Sequence, residues 1–258
     1  MFLAIIRGAL IKFAAWIWFA NAVKTQPHQL HLLLLPADRV LWFISMVCGV
    51  SYLLAPFLCA EQIKTYWSLN ATIKGLAVSA LAVMAFRLVR GRGRTLLSVA
   101  LLFSSLGDIF LALRNGNYFV FGLLSFLVAH LFFIALWIRH WDTPMQTNGK
   151  QKLLVVALLV FLAAMLWWML PLPGLSIPVA IYMCVLTTMV ITAALADFKS
   201  NWVVTGAILF LLSDSLIALS TFKDVIGGRL AGFLIWSTYY LAQYFIAVGV
   251  IAEKKSAP

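Results

Sequence analysis

Between residues 40 and 252 the sequence returns eight times to an apolar run of about 20 residues, near 40–60, 68–88, 95–113, 118–138, 153–171, 177–196, 202–222 and 230–252. A helix of about 20 residues, rising about 1.5 Å per residue, crosses the hydrocarbon layer of a bilayer. The chain is therefore expected to be an all-α, polytopic membrane protein with eight transmembrane helices. Composition excludes the soluble alternative, because 64% hydrophobic and 10% charged residues in 258, with a mean hydropathy of +1.02, lie far from a globular domain. A net charge of +11 raises the question of nucleic acid. The basic residues lie in the short connections between runs, however, so membrane topology accounts for them and no nucleic-acid partner is expected. Cys48, Cys59 and Cys184 fall inside or beside apolar runs without metal-like spacing and read as small packing residues.

The connections carry the helix breakers: Arg90-Gly91-Arg92-Gly93-Arg94, Arg114-Asn115-Gly116-Asn117, Asp142-Thr143-Pro144, Pro171-Leu172-Pro173-Gly174 and Gly227-Gly228-Arg229. The Pro171–Gly174 link is short enough to make spans five and six a tight antiparallel pair. Residues 1–32 form an extension before the membrane domain of 33–258, with Arg7 and Lys12 interrupting its apolar part and Trp16 and Trp18 suited to a headgroup boundary. No small-residue cleavage site precedes its polar end, so it reads as an amphipathic interfacial helix or an extra anchor rather than a removable signal. With the N-terminus cytoplasmic, fourteen basic residues fall on that side, and only Lys64, Arg114, Lys223 and Arg229 on the other. The bias places both termini in the cytoplasm. Short connections favour a bacterial inner membrane.

Two of the runs contain a carboxylate. Gly107-Asp108-Ile109-Phe110-Leu111-Ala112-Leu113 in span three is echoed by Ser213-Asp214-Ser215-Leu216-Ile217-Ala218-Leu219 in span seven, with the second Asp 106 residues after the first. Spans three and seven run the same way through the membrane, as in a four-plus-four duplication with parallel halves. An ionised side chain at such a depth costs several kcal/mol unless it is paired, protonated or wet. One buried Asp is readily structural; two matched ones suggest a shared purpose. Ser98, Ser105, Asp108 and Asn115 recur along one stripe of span three, which would line a wet cavity.

Further polar residues punctuate the apolar runs. Lys74, four residues after Asn70 in span two, either snorkels to the headgroups, contacts a phosphate or serves as counter-ion to one Asp. His130 stands in mid-span four, where a lone histidine is either a satisfied packing residue or a functional one. Tyr239, Tyr240 and Gln243 share a region of span eight; an interfacial aromatic belt explains the tyrosines but not a glutamine so far into the membrane. The two Asp and one His lack any recognisable ligand spacing, and no metal site is expected.

Lys74, Gly107-Asp108 with Leu111, Ala129-His130, Ser213-Asp214, Tyr239-Tyr240 and Ala242-Gln243, in this order across eight spans, make the chain resemble the lysoplasmalogenase (YhhN) family over roughly residues 40–252. Phe133 stands where that resemblance would place a tyrosine, and the first 30 or so residues have no counterpart in it. The resemblance implies hydrolysis of the vinyl-ether bond of a lysophospholipid substrate, giving a fatty aldehyde and a glycerophospho-alcohol. Vinyl ethers hydrolyse when an acid protonates the β-carbon and water captures the resulting oxocarbenium ion, so Asp108 and Asp214 would act as an acid and its ionised twin. Tyr239, Tyr240, Gln243, His130, Ser105 and Ser213 would orient substrate and water, Lys74 or Arg114 would hold the phosphate, and no cofactor is needed. A proton-coupled transporter also uses midplane acids and repeated halves. An intramembrane aspartyl protease fits less well, because Ser105-Leu106-Gly107-Asp108 and Ser213-Asp214 depart from its signatures.

Overall fold

The computed structural model describes residues 36–58, 67–113, 118–141 and 147–255. Among them the regular elements are helices: α1 (Pro36–Leu58), α2 (Trp67–Leu88), α3 (Arg92–Ala112), α4 (Tyr118–Ile138), α5 (Gly149–Met169), α6 (Ser176–Leu195), α7 (Trp202–Phe222) and α8 (Gly228–Lys255). All eight are long and apolar enough to cross a membrane, as the eight apolar runs predict. The described residues from 40 onward belong to one compact unit. The expected amphipathic or anchor segment of 1–32 lies outside the described residues.

Several helices start before the apolar run that announces them, because backbone hydrogen bonding continues into the polar boundary once a cap is available. Asn148 and Gln151 form a reciprocal capping box on α5, at 2.9 and 3.0 Å, so the helix begins at Gly149 rather than near residue 153. The Gln151 amide also donates to the Ala194 carbonyl at 3.0 Å, tying the start of α5 to the end of α6. Gly91, with φ +67°, makes the turn from α2 into α3 in a left-handed conformation that residues with a Cβ rarely adopt.

Each helix packs on a few defined neighbours. α2 packs on α3, α3 on α4, α4 on α6, α6 on α7, α7 on α8, and α8 returns to α2, which closes a ring of six. α5 sits outside on α6. α1 is fixed by the Ser45 hydroxyl donating to Ala77 of α2 at 2.6 Å and by the Trp236 indole of α8 donating to Gly49 at 2.8 Å. In keeping with these positions, 72% of the apolar stretch of α8 is buried, against 11% for α1 and 17% for α5. Advancing every helix by four exchanges the ring contacts in pairs, α3·α4 with α7·α8 and α4·α6 with α8·α2.

Small residues allow the close approaches. A Cβ on Gly206 would lie 2.8 Å from the Ala242 carbonyl, so α7 and α8 meet backbone to backbone there. Gly107 seats the ring of Phe126, which would stand 2.6 Å from an added Cβ, so the residue preceding Asp108 is small for packing reasons. Phe126, Phe210 and Tyr239 then meet edge to face, with centroids 5.3–6.0 Å apart, and fill the ring's interior beside the acids.

Candidate functional site

Asp108 and Asp214, from α3 and α7, line one cavity of about 400 Å³ together with Lys74, Tyr52, Trp236 and Tyr239. Each carboxylate sits in the second half of its helix, and the alternation of short connections runs the two helices in the same direction. Two acidic side chains 106 residues apart in sequence thus face one space.

Asp108 is 1% exposed and both its oxygens are engaged. Lys74 reaches Oδ1 at 3.1 Å, and the Tyr239 hydroxyl donates to Oδ2 at 2.6 Å. Gln243, fully buried, donates its amide to the Tyr239 oxygen at 3.1 Å, which aims that tyrosine's only hydrogen at the carboxylate. The Lys74 ammonium lies 5.7 Å from the Tyr52 ring and 5.5 Å from the Trp236 ring. Of its three sequence readings, the structure shows Lys74 as the counter-ion of Asp108, held inside the bundle and not snorkelling.

Asp214 has a different set of partners. The Tyr182 hydroxyl donates to its Oδ2. His130 Nε2 stands 3.1 Å from the Tyr182 oxygen and 3.8 Å from Asp214 Oδ2, while His130 Nδ1 is buried without a partner among the described residues. Because the Tyr182 hydroxyl gives its own hydrogen to Asp214, the tautomer that satisfies this contact carries its hydrogen on Nε2 and donates it to the Tyr182 oxygen. The two acids are thus served by equivalent helices. Asp108 is reached from the preceding helix, α2, and from α8; Asp214 is reached from its preceding helix, α6, and from α4.

Other residues singled out from sequence direct their polar groups elsewhere. The Ser105 hydroxyl donates to the Gly75 carbonyl at 2.8 Å, fastening α3 to α2, and Ser105 is not among the residues around the cavity. Ser213 does line the cavity, but its hydroxyl donates to Ile235 at 3.0 Å. Tyr240 points away from the acids to the Ser45 hydroxyl at 2.8 Å and the Met46 sulfur, because adjacent residues on a helix diverge by about 100°. Among the described members of the stripe expected along α3, Ser98 is buried without a partner and only Asp108 borders the cavity. Arg114 and Asn115 lie outside the described residues. Phe133 is fully buried and stacks on Trp137 with centroids 5.5 Å apart. Among the described residues no cluster of His, Cys, Asp or Glu could hold a metal ion.

Sequence reading missed Tyr182. The repeat offers a pointer, since an offset of 106 carries Lys74 to Ala180, and Tyr182 stands two residues beyond it. Also unseen was a second, apolar cavity of about 690 Å³ bordered by α4, α5, α6 and α7 and by Leu111 of α3, with Phe161, Leu162, Met165, Val179 and Leu186 on its walls. Leu111, Phe126, Asp214 and Ile217 border both cavities; Asp108 borders only the polar one. The pairing of an apolar space with one that holds two carboxyls and an ammonium suits a molecule with a tail and a head.

The eight helices define a multi-pass integral membrane protein, with an acid-lined cavity among them. Residues 69–250 match the family model described as the YhhN family, and the chain belongs to that family. Among its relatives is a lysoplasmalogenase of Mycobacterium bovis, 36% identical over 193 residues and covering 73% of each chain. Lysoplasmalogenase TMEM86B of Sus scrofa is 32% identical over 190 residues, 73% of this chain and 78% of the relative. Lysoplasmalogenase TMEM86A of Homo sapiens is 31% identical over 169 residues, 62% of this chain and 67% of the relative. No solved structure matches the chain significantly.

Proposed function

We propose that this chain is an ether-bond hydrolase that cleaves the vinyl-ether bond of lysoplasmenyl phospholipids, releasing a fatty aldehyde and a glycerophospho-alcohol. One observation carries the reading beyond the relatives' names: two carboxyls and Lys74 share a cavity that adjoins an apolar one, with Asp214 on the border of both. A single-tailed lipid would lay its alkenyl chain in the apolar space and its glycerophosphate in the polar one. This sets the vinyl ether beside the acids. One carboxyl protonates the β-carbon; the other, ionised, stabilises the oxocarbenium ion and orients the water that captures it. Lys74, already paired, gives the polar space a cation that phosphate can approach.

With both termini in the cytoplasm of a bacterial inner membrane, the acids lie in the outer half of the bilayer, Asp108 four residues and Asp214 eight residues before the ends of their helices. A charge-reporting tag on the C-terminus, accessible only from the cytoplasm, tests that orientation. The activity is tested by giving the purified protein in detergent a 1-alkenyl lysophospholipid and measuring aldehyde. Release without a sealed compartment supports hydrolysis. Uptake of substrate into proteoliposomes with no aldehyde formed would support the transporter instead.

A further inference from the structure

We propose that Asp214 delivers the proton, that Tyr182 backed by His130 positions it, and that Asp108 stays ionised beside Lys74 throughout. This assignment rests on the vinyl-ether reading above and deepens it.

Two independent observations separate the acids. The first is their bonding. Asp108 has a cation on one oxygen and a hydroxyl donor on the other, so both oxygens are occupied by groups that favour the carboxylate. Among the described residues the hydrogen bonds to Asp214 fall on Oδ2 alone, and they come from a neutral hydroxyl with an imidazole behind it. Tyr182 has one hydrogen and gives it to Oδ2, which leaves Oδ1 as the oxygen able to carry the acid proton. His130 keeps the Tyr182 hydrogen pointed that way, because its own Nε2 hydrogen occupies the other side of the phenol oxygen.

The second observation is place. In an alkenyl ether the carbon that must be protonated lies on the chain side of the carbon bearing oxygen. The donor must therefore stand where the tail's space meets the head's space. Asp214 borders both cavities, whereas Asp108 borders only the polar one.

The steps balance without any co-reactant but water. The Oδ1–H bond of Asp214 breaks as the π electrons form a C–H bond at the β-carbon, leaving positive charge on the carbon attached to oxygen and a carboxylate at Asp214. Asp108, facing the same cavity, opposes that charge. Water adds to the cationic carbon and gives its surplus proton to Asp214, restoring the acid. Asp214 then returns a proton to the glycerol oxygen as the hemiacetal collapses, and takes one from the hemiacetal hydroxyl. Aldehyde and alcohol leave with the protein unchanged.

The test uses the full chain in detergent with a 1-alkenyl lysophospholipid and formate as an external acid. Asp214→Gly, which opens space for it, should regain turnover in proportion to undissociated formic acid, so that rescue grows as the pH is lowered at constant total formate. Asp108→Gly should instead follow the formate anion, with rescue growing as the pH is raised. Tyr182→Phe, which keeps the ring, should lower kcat tenfold or more with KM and melting temperature little changed. His130→Gln, which keeps an N–H donor, should retain most of the activity that His130→Leu loses. The reverse rescue pattern, or full kcat in Tyr182→Phe, overturns the assignment while leaving the hydrolase reading standing. Failure of the unaltered protein to release aldehyde overturns both.

Discussion

Replacing Lys74 by methionine removes the cation from a carboxylate that is 1% exposed and leaves it with Tyr239 alone. At 3.1 Å and an effective dielectric of about 20, the lost attraction is on the order of 5 kcal/mol. Breaking one side of a buried pair typically costs about 3–5 kcal/mol because the other side remains buried without compensation. Lys74→Met should therefore lower the melting temperature in detergent by roughly 10 °C, at about 2–4 °C per kcal/mol for a chain of this size. Adding Asp108→Asn removes the stranded charge, and the double variant should recover most of that loss although it stays inactive. The assay is thermal unfolding followed by tryptophan fluorescence, which the ten tryptophans make sensitive. A single variant that melts with the unaltered protein, or a double variant no more stable than the single, would refute the idea that this ion pair holds α2 to α3.

Other consequences follow from packing. Gly206→Ala drives a Cβ to within 2.8 Å of the Ala242 carbonyl, and should destabilise the protein by about 1–3 kcal/mol in the same melting assay. Met165→Trp fills part of the apolar cavity; KM should rise for long alkenyl chains and change little for short ones, measured across a chain-length series. Gln151→Ala removes half of the α5 capping box and the bond to Ala194, and should cost about 1 kcal/mol, read as earlier melting.

The membrane fold was legible because the bilayer imposes a length and a polarity that sequence reports directly. Helix ends were less so, since a hydropathy pattern ends where the apolar residues end, while Asn148 and Gln151 carry α5 further. At the site, Asp108 and Asp214 stood out as ionisable residues where such residues are costly, and Lys74 and His130 for the same reason. Which acid each would partner was not legible, because that depends on which helices become neighbours in the ring. Tyr182 stayed hidden for a related reason: a tyrosine in an apolar helix looks like packing until its hydroxyl is seen on a carboxylate. Ser105 and Tyr240 show the converse, since a polar residue near a motif can be engaged in joining helices, to Gly75 in one case and to Ser45 in the other.

On the proposed chemistry the two carboxyls act as one unit, and a double-mutant cycle on turnover measures that directly. Asp108→Asn and Asp214→Asn, each folded by its melting curve, should lower aldehyde release roughly 100-fold or more, and the double variant should fall no further than the weaker single. Near-normal turnover in either single variant, or losses that multiply in the double, would contradict it.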